Sequence, residues 1–209
     1  SHPDHAECIA ESLCQLHKAG ILTKENLSTI MIDPFACLSV ARSLCILHKA
    51  GILIEEHRLI VLESPQNAAI LGHALVKCHE AGILTCSNLS ALVTANEYAD
   101  LIADGLCELH YAGILTEENR ASLTAYPVYS LEIATLFSIM DQARILTDSS
   151  RGQILSHRAD IYQITDALII LNQRNLLSDT YFQDIMANPA IAWRIAQEIL
   201  AEHQVQAAG

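Results

Sequence analysis

The 209-residue sequence predicts an all-α fold, an α-solenoid of six 31-residue αα-hairpin repeats closed by a C-terminal capping helix. Three regularities predict it. The phrase His17-Lys18-Ala19-Gly20-Ile21-Leu22 returns every 31 residues, at 48–53, 79–84 and 110–115, and in eroded form at 141–146 and 172–177. All five prolines, Pro3, Pro34, Pro65, Pro127 and Pro189, stand on the same grid. A hydroxyl also recurs three positions after the glycine, as Thr23, Thr85, Thr116, Thr147 and Ser178. A constant period of this length is the signature of stacked two-helix units that bury their apolar faces against one another. The repeats start near residues 3, 34, 65, 96, 127 and 158, and together with a cap helix at 189–205 they form one domain over 1–209.

Proline is tolerated in the first turn of a helix, where its missing N–H has no intrahelical partner to lose. Each grid position therefore opens a long helix of about 17 residues, with Asp33, Ser64 and Asn188 as N-caps. In the first repeat Ala6, Ile9, Ala10, Leu13 and Leu16 recur at spacings of three and four, the period of one buried stripe. Gly20, Gly51, Gly82 and Gly113 supply the left-handed turn that ends it, and Asn175 can adopt the same conformation. Arg144 suits that conformation poorly, so the fifth turn is expected to be strained or built differently.

A short second helix of about eight residues then starts at the hydroxyl N-cap, with acidic residues such as Glu25, Glu117 and Asp148 in its first turn. Ile54 breaks the cap column. The next grid proline ends the short helix. In the closing segment, Trp193 stands where the earlier repeats carry Glu7, Leu38, Ala69, Asp100, Leu131 and Tyr162.

Apolar residues make up 51% of the chain and charged ones 17%, so every repeat has enough to bury. The formal net charge is −12, and no repeat is net basic. Nucleic acid is accordingly not an expected partner, because phosphate neutralisation requires clustered cations. No apolar run approaches the roughly 20 residues needed to span a bilayer, so membrane insertion is not expected either. The cysteines at Cys14, Cys45 and Cys107 share a column with Val76, Ser138 and Ile169, and are expected to be reduced thiols acting as small core residues in a cytosol. The chain opens in phase with the grid and without a methionine, as a stretch of a longer protein would.

The tempting chemistry lies in the column His17, His48, His79, His110, Asp141 and Asn172. Cys14, Cys45 and Cys107 each precede one of these histidines by three residues, and both residue types bind zinc. The expected role is nevertheless a structural hydrogen-bond ladder along the helix turns, since Asp and Asn keep hydrogen-bonding capacity but not the coordination pattern. No nucleophile elbow, phosphate loop or zinc-protease motif is present. No cofactor, metal site or catalytic residue is expected. Binding is better supported. Phe35, Ile46, Ile70, Tyr98, Leu101 and Tyr111 occupy variable positions and are the candidates for an exposed apolar patch that meets a partner.

The recurring Leu-His-x-Ala-Gly-Ile-Leu-Thr-x-Glu-Asn phrase, seen at residues 109–119 and 16–26, resembles the tandem αα-hairpin repeats found in secreted effectors of intracellular bacterial pathogens. Tetratricopeptide repeats share the two-helix logic, but their unit is about 34 residues with two comparable helices. The effector resemblance implies engagement of a host or effector protein after translocation into the host cell cytoplasm. The expectation is therefore a non-enzymatic protein-protein interaction module, cytosolic in location. Its alternatives are a metal-dependent or thiol enzyme using the His/Cys columns, or a structural spacer for a catalytic domain elsewhere.

Overall fold

The structure is a computed structural model that describes the backbone of residues 3–208 and the side chains of residues 6–205. It is all-helical, with no strand among the described residues. By packing, the chain gathers into two compact units, residues 1–107 and 108–209, the division falling inside one helix.

The first unit contains α1 (Pro3–Lys18), α2 (Lys24–Met31), α3 (Cys37–Lys49), α4 (Glu55–Glu63), α5 (Ala68–Glu80), α6 (Cys86–Thr94) and the greater part of α7 (Ala99–Tyr111). Long and short helices alternate, and the long ones pack side by side, α1 on α3 and α3 on α5. The second unit contains α8 (Glu117–Ala125), α9 (Ser130–Gln142), α10 (Asp148–Ser156), α11 (Ile161–Gln173), α12 (Asp179–Ala187) and α13 (Ala192–Ala208). There α9 packs on α11 and α11 on α13, in the same alternation.

Each long helix after the first opens with a tight turn. Asn67 N donates to Ser64 O at 3.0 Å, Tyr98 N to Ala95 O at 2.9 Å and Tyr129 N to Tyr126 O at 2.9 Å, so a short 3-10 segment precedes an α-helix of 13 residues. Pro65, Pro127 and Pro189 are the first residues of such turns, as their missing N–H allows. The expected side-chain caps fail at Ser64 and Asn188, which make no cap bond. Ser64 Oγ instead accepts from Asn96 Nδ2 at 2.7 Å, tying two successive turns together. Asp33 does accept a bond from the Phe35 amide at 2.9 Å.

The buried stripe follows the grid. Leu44, Leu75, Leu106, Phe137 and Leu168 form one fully buried column, and Val40, Leu71, Ile102, Ile133 and Ile164 a second. At α1 the expected stripe is partly sunk: Leu16 is buried but Ala6 and Ala10 are exposed, and the packing partners of that helix are chiefly α2 and α3. A close approach lies between α3 and α5, where a Cβ on Gly72 would sit 2.4 Å from Ser43 Oγ and 3.1 Å from Ser43 Cα. A glycine is required there for contact rather than for backbone angle.

All four turn glycines hold positive φ between 72° and 76°. The bonds are those of a Schellman turn: Gly51 N donates to His48 O at 2.9 Å and Ile52 N to Leu47 O at 2.9 Å. Asn175 adopts the conformation at φ 55° and Arg144 at 61°. The fifth turn is therefore not built differently, since Arg144 N reaches Asp141 O at 2.8 Å and Ile145 N reaches Met140 O at 2.9 Å. It keeps the geometry and carries a Cβ in the left-handed region. After the turn, Thr23, Thr85, Thr116, Thr147 and Ser178 each accept a backbone N–H three residues on, and Ile54 makes no such bond.

Two stabilising substitutions follow. Arg144→Gly removes a left-handed penalty of about 1–2 kcal/mol, partly offset by the entropy of an added glycine, for a net gain of about 1 kcal/mol. Ile54→Thr restores a cap of similar size. Each is expected to raise the thermal midpoint by about 2–4 °C, read by circular dichroism melting; a lowered midpoint would contradict the turn geometry.

Candidate functional site

The histidine ladder does not form as expected. His17, His48, His79 and His110 are exposed, and their rings make no hydrogen bond among the described residues. Asp141 is exposed too, and Asn172 donates only to Gln142 Oε1 at 3.1 Å on the surface. The reason is rotational. The last core-facing position of each long helix is one residue earlier, at Leu16, Leu47, Cys78, Leu109, Met140 and Leu171, all fully buried. A residue one step further along is turned about 100° away.

The polar ladder exists, but nine positions later. Asn26 Nδ2 donates to Ile21 O at 2.8 Å, Asn88 Nδ2 to Ile83 O at 2.7 Å, Asn119 Nδ2 to Ile114 O at 2.8 Å and Ser150 Oγ to Ile145 O at 2.8 Å. His57 Nδ1 lies 2.7 Å from Ile52 O, which makes it the donor because a carbonyl can only accept. These five residues are buried, stand 31 apart, and pin the carbonyl that follows the left-handed residue. The signal was present in the sequence as a polar column, Asn-His-Asn-Asn-Ser, at a helix position that otherwise faces the core.

The cysteines sit at mixed depths. Cys37 and Cys78 are buried, Cys45 and Cys107 half-buried, and Cys14 exposed, so the expected core column is a boundary column at best. All seven are free thiols. Burial, reinforced by neighbouring Cys107, pushes the Cys78 thiol up to about 12, and burial also raises Cys45 and Cys107. Such thiols stay protonated near neutral pH and are poor nucleophiles. Among the described residues no three His, Cys, Asp or Glu side chains gather in a metal-holding cluster. No single described helix is long and apolar enough to cross a membrane.

Three of the six patch candidates come together. Ile70, Tyr98 and Leu101 line one groove of about 500 Å³ in the first unit, with Ala69, His73, Lys77, Glu97 and Asp100 around them. Its walls are α5 and the start of α7. Lys77 Nζ bridges them, 2.8 Å from Asp100 Oδ1 and 2.7 Å from Asp104 Oδ1. Burial by itself would pull the Lys77 ammonium down, but its hydrogen bonds to the two carboxylates outweigh that and raise it above the ordinary lysine value. The groove thus has an apolar wall and a charged, internally paired rim. Phe35 is 75% exposed on the turn before α3 and Ile46 is half-buried on that helix, both outside this groove. Tyr111 is 73% exposed and belongs to the second unit, where its ring lies 5.6 Å from that of His110.

The second unit has a groove of its own, about 540 Å³, lined by Asp166, Ile169, Ile170 and Gln173 of α11 and by Trp193 of α13. No family model matches the chain, and neither a curated protein nor a solved structure is significantly similar to it.

The two polar columns make a sharp comparison. Asn88→Ala removes one of two donors to the buried Ile83 carbonyl, leaving Thr85 N at 2.8 Å, and is expected to cost about 1 kcal/mol, the scale of one buried hydrogen bond. His79→Ala, on the exposed column, is expected to change stability by no more than about 0.5 kcal/mol. Urea denaturation of both variants decides between the columns, and a larger loss for His79→Ala would reverse the assignment.

Proposed function

We propose that this chain is an α-solenoid of six 31-residue αα-hairpin repeats with a C-terminal capping helix, and that it works as a non-enzymatic protein-protein interaction module. In this reading it is a segment of a secreted bacterial effector, acts in the host cytosol, and recognises a host or effector protein. The observation that carries the proposal is the groove between α5 and α7. Ile70, Tyr98 and Leu101, at variable grid positions, there offer an apolar surface beside a fixed Lys77–Asp100–Asp104 ion pair. Apolar and aromatic anchor points inside a polar rim are the arrangement that concentrates binding energy at protein interfaces. The regular 31-residue recurrence of turn, cap and ladder supports the repeat architecture.

The test is affinity capture from eukaryotic lysate with the intact chain beside an Ile70→Glu/Leu101→Glu variant, whose helicity is checked by circular dichroism. Burying an unpaired carboxylate against a partner costs several kcal/mol, so the variant is expected to lose a partner that the intact chain retains. Capture by both proteins would move the interface off this groove, and capture by neither would remove the binding reading.

A further inference from the structure

We infer that the groove between α11 and α13 is a second, separate site that receives an arginine side chain from a basic, extended segment of a partner protein. Asp166, Ile169, Ile170 and Gln173 form one wall and Trp193 the other. The indole is 47% exposed, a large apolar face left open to solvent.

The first unit shows what such a seam holds when it is filled. On the 31-residue grid, Asp166 stands where α5 has His73, Ile170 where α5 has Lys77, and Trp193 where α7 has Asp100. In the first unit the cation is built in: Lys77 crosses the seam to reach the carboxylates of Asp100 and Asp104. In the second unit the same register has exchanged partners. The lysine position is Ile170, the carboxylate has moved to Asp166, and the opposite wall is an aromatic face. Asp166 has no ion pair or hydrogen bond among the described residues. The nearest cation on α13, Arg194, is drawn along its own helix, its Nε 3.8 Å from Glu198 Oε1. The second seam therefore lacks the cation that the first carries internally.

Among cationic side chains, arginine fits best. Its planar guanidinium stacks on an indole and forks onto a carboxylate, which a lysine ammonium cannot do together. Its alkyl stem would lie along Ile169 and Ile170, and Gln173 can accept a remaining N–H through its side-chain carbonyl. A volume of about 540 Å³ leaves room for the residues flanking the arginine. The net charge of −12 favours the approach of a basic segment. None of these residues belongs to the groove between α5 and α7, so either site can fail without the other.

Trp193 is the only tryptophan, so its fluorescence and its single indole N–H resonance report on this groove alone. The experiment titrates the intact chain with a capped Leu-Arg-Leu peptide, and in parallel with the same peptide carrying uncharged citrulline. A saturable change in the Trp193 signal is expected with the arginine peptide. Response to the citrulline peptide, and response of an Asp166→Asn variant to the arginine peptide, should each be weaker by about tenfold or more, the scale of one charge-assisted hydrogen bond. Equal affinity for the two peptides would overturn the proposal by showing apolar contact alone, and so would an undiminished Asp166→Asn response or no response at all. Should Asp166→Asn disturb the fold, the citrulline comparison on the unsubstituted chain still decides.

Discussion

The structure depends on a bond between a buried side chain and a carbonyl at five of the six turns that lead from a long helix to the short one after it. A left-handed residue reverses the chain, and the next residue's carbonyl, which in four turns also accepts the backbone N–H two residues on, takes a side-chain partner from the short helix. Asn26, His57, Asn88, Asn119 and Ser150 supply that partner. Because the donor sits in the first turn of the short helix, the same bond fixes where that helix starts. The threonine cap, which accepts the backbone N–H of the ladder residue itself, locks the pair from the other side. Turn, cap and ladder form one connected set of bonds that fixes the same few residues from several sides. This explains why the fifth turn tolerates Arg144 in a left-handed conformation: the surrounding bonds over-determine it.

From that set the seams follow. Once the turn fixes the relation of long to short helix, successive long helices can lie side by side, and the grid decides which side chains meet across each seam. Ser43 meets Gly72 with no space for a further carbon, so the small residue is dictated by the neighbour. Further out, Lys77 meets Asp100 and Asp104 in one seam while Ile170 and Trp193 line another. The turn bonds recur, while the side chains that line the two grooves differ in charge and polarity.

Much of the fold was legible in the residues themselves. The glycine column, the threonine caps and the proline grid each have a local physical cause, and local causes survive translation into structure. What misled was rotation about the helix axis. His17 follows Leu16 by a single residue, and spacing from Leu13 or Ala10 alone cannot separate a core-edge position from an exposed one. Only the uninterrupted apolar character of the Leu16 column settles that the core ends there. Beyond its polar column the buried ladder has no sequence signature of its own, because Asn in the first turn of a helix is ordinary and its meaning lies in a carbonyl five residues back that sequence does not display. Of the patch candidates, Ile70, Tyr98 and Leu101 converge because their grid offsets face one seam, whereas Phe35 lies on a turn and Tyr111 in the other unit.

The different charges in the two seams also bear on what each groove can admit. A lysine paired to two carboxylates closes its seam to outside cations, since an incoming arginine would have to displace a partner already held at hydrogen-bond distance. Replacing that lysine by isoleucine removes the competitor and lays down an apolar floor. The carboxylate, Asp166, then stands on the same helix as that isoleucine and one turn before it, rather than on the helix across the groove. Each of these differences lies in an exposed or half-buried side chain and leaves the turn bonds untouched. The lining can therefore differ from seam to seam while the bonds that hold the turns stay the same.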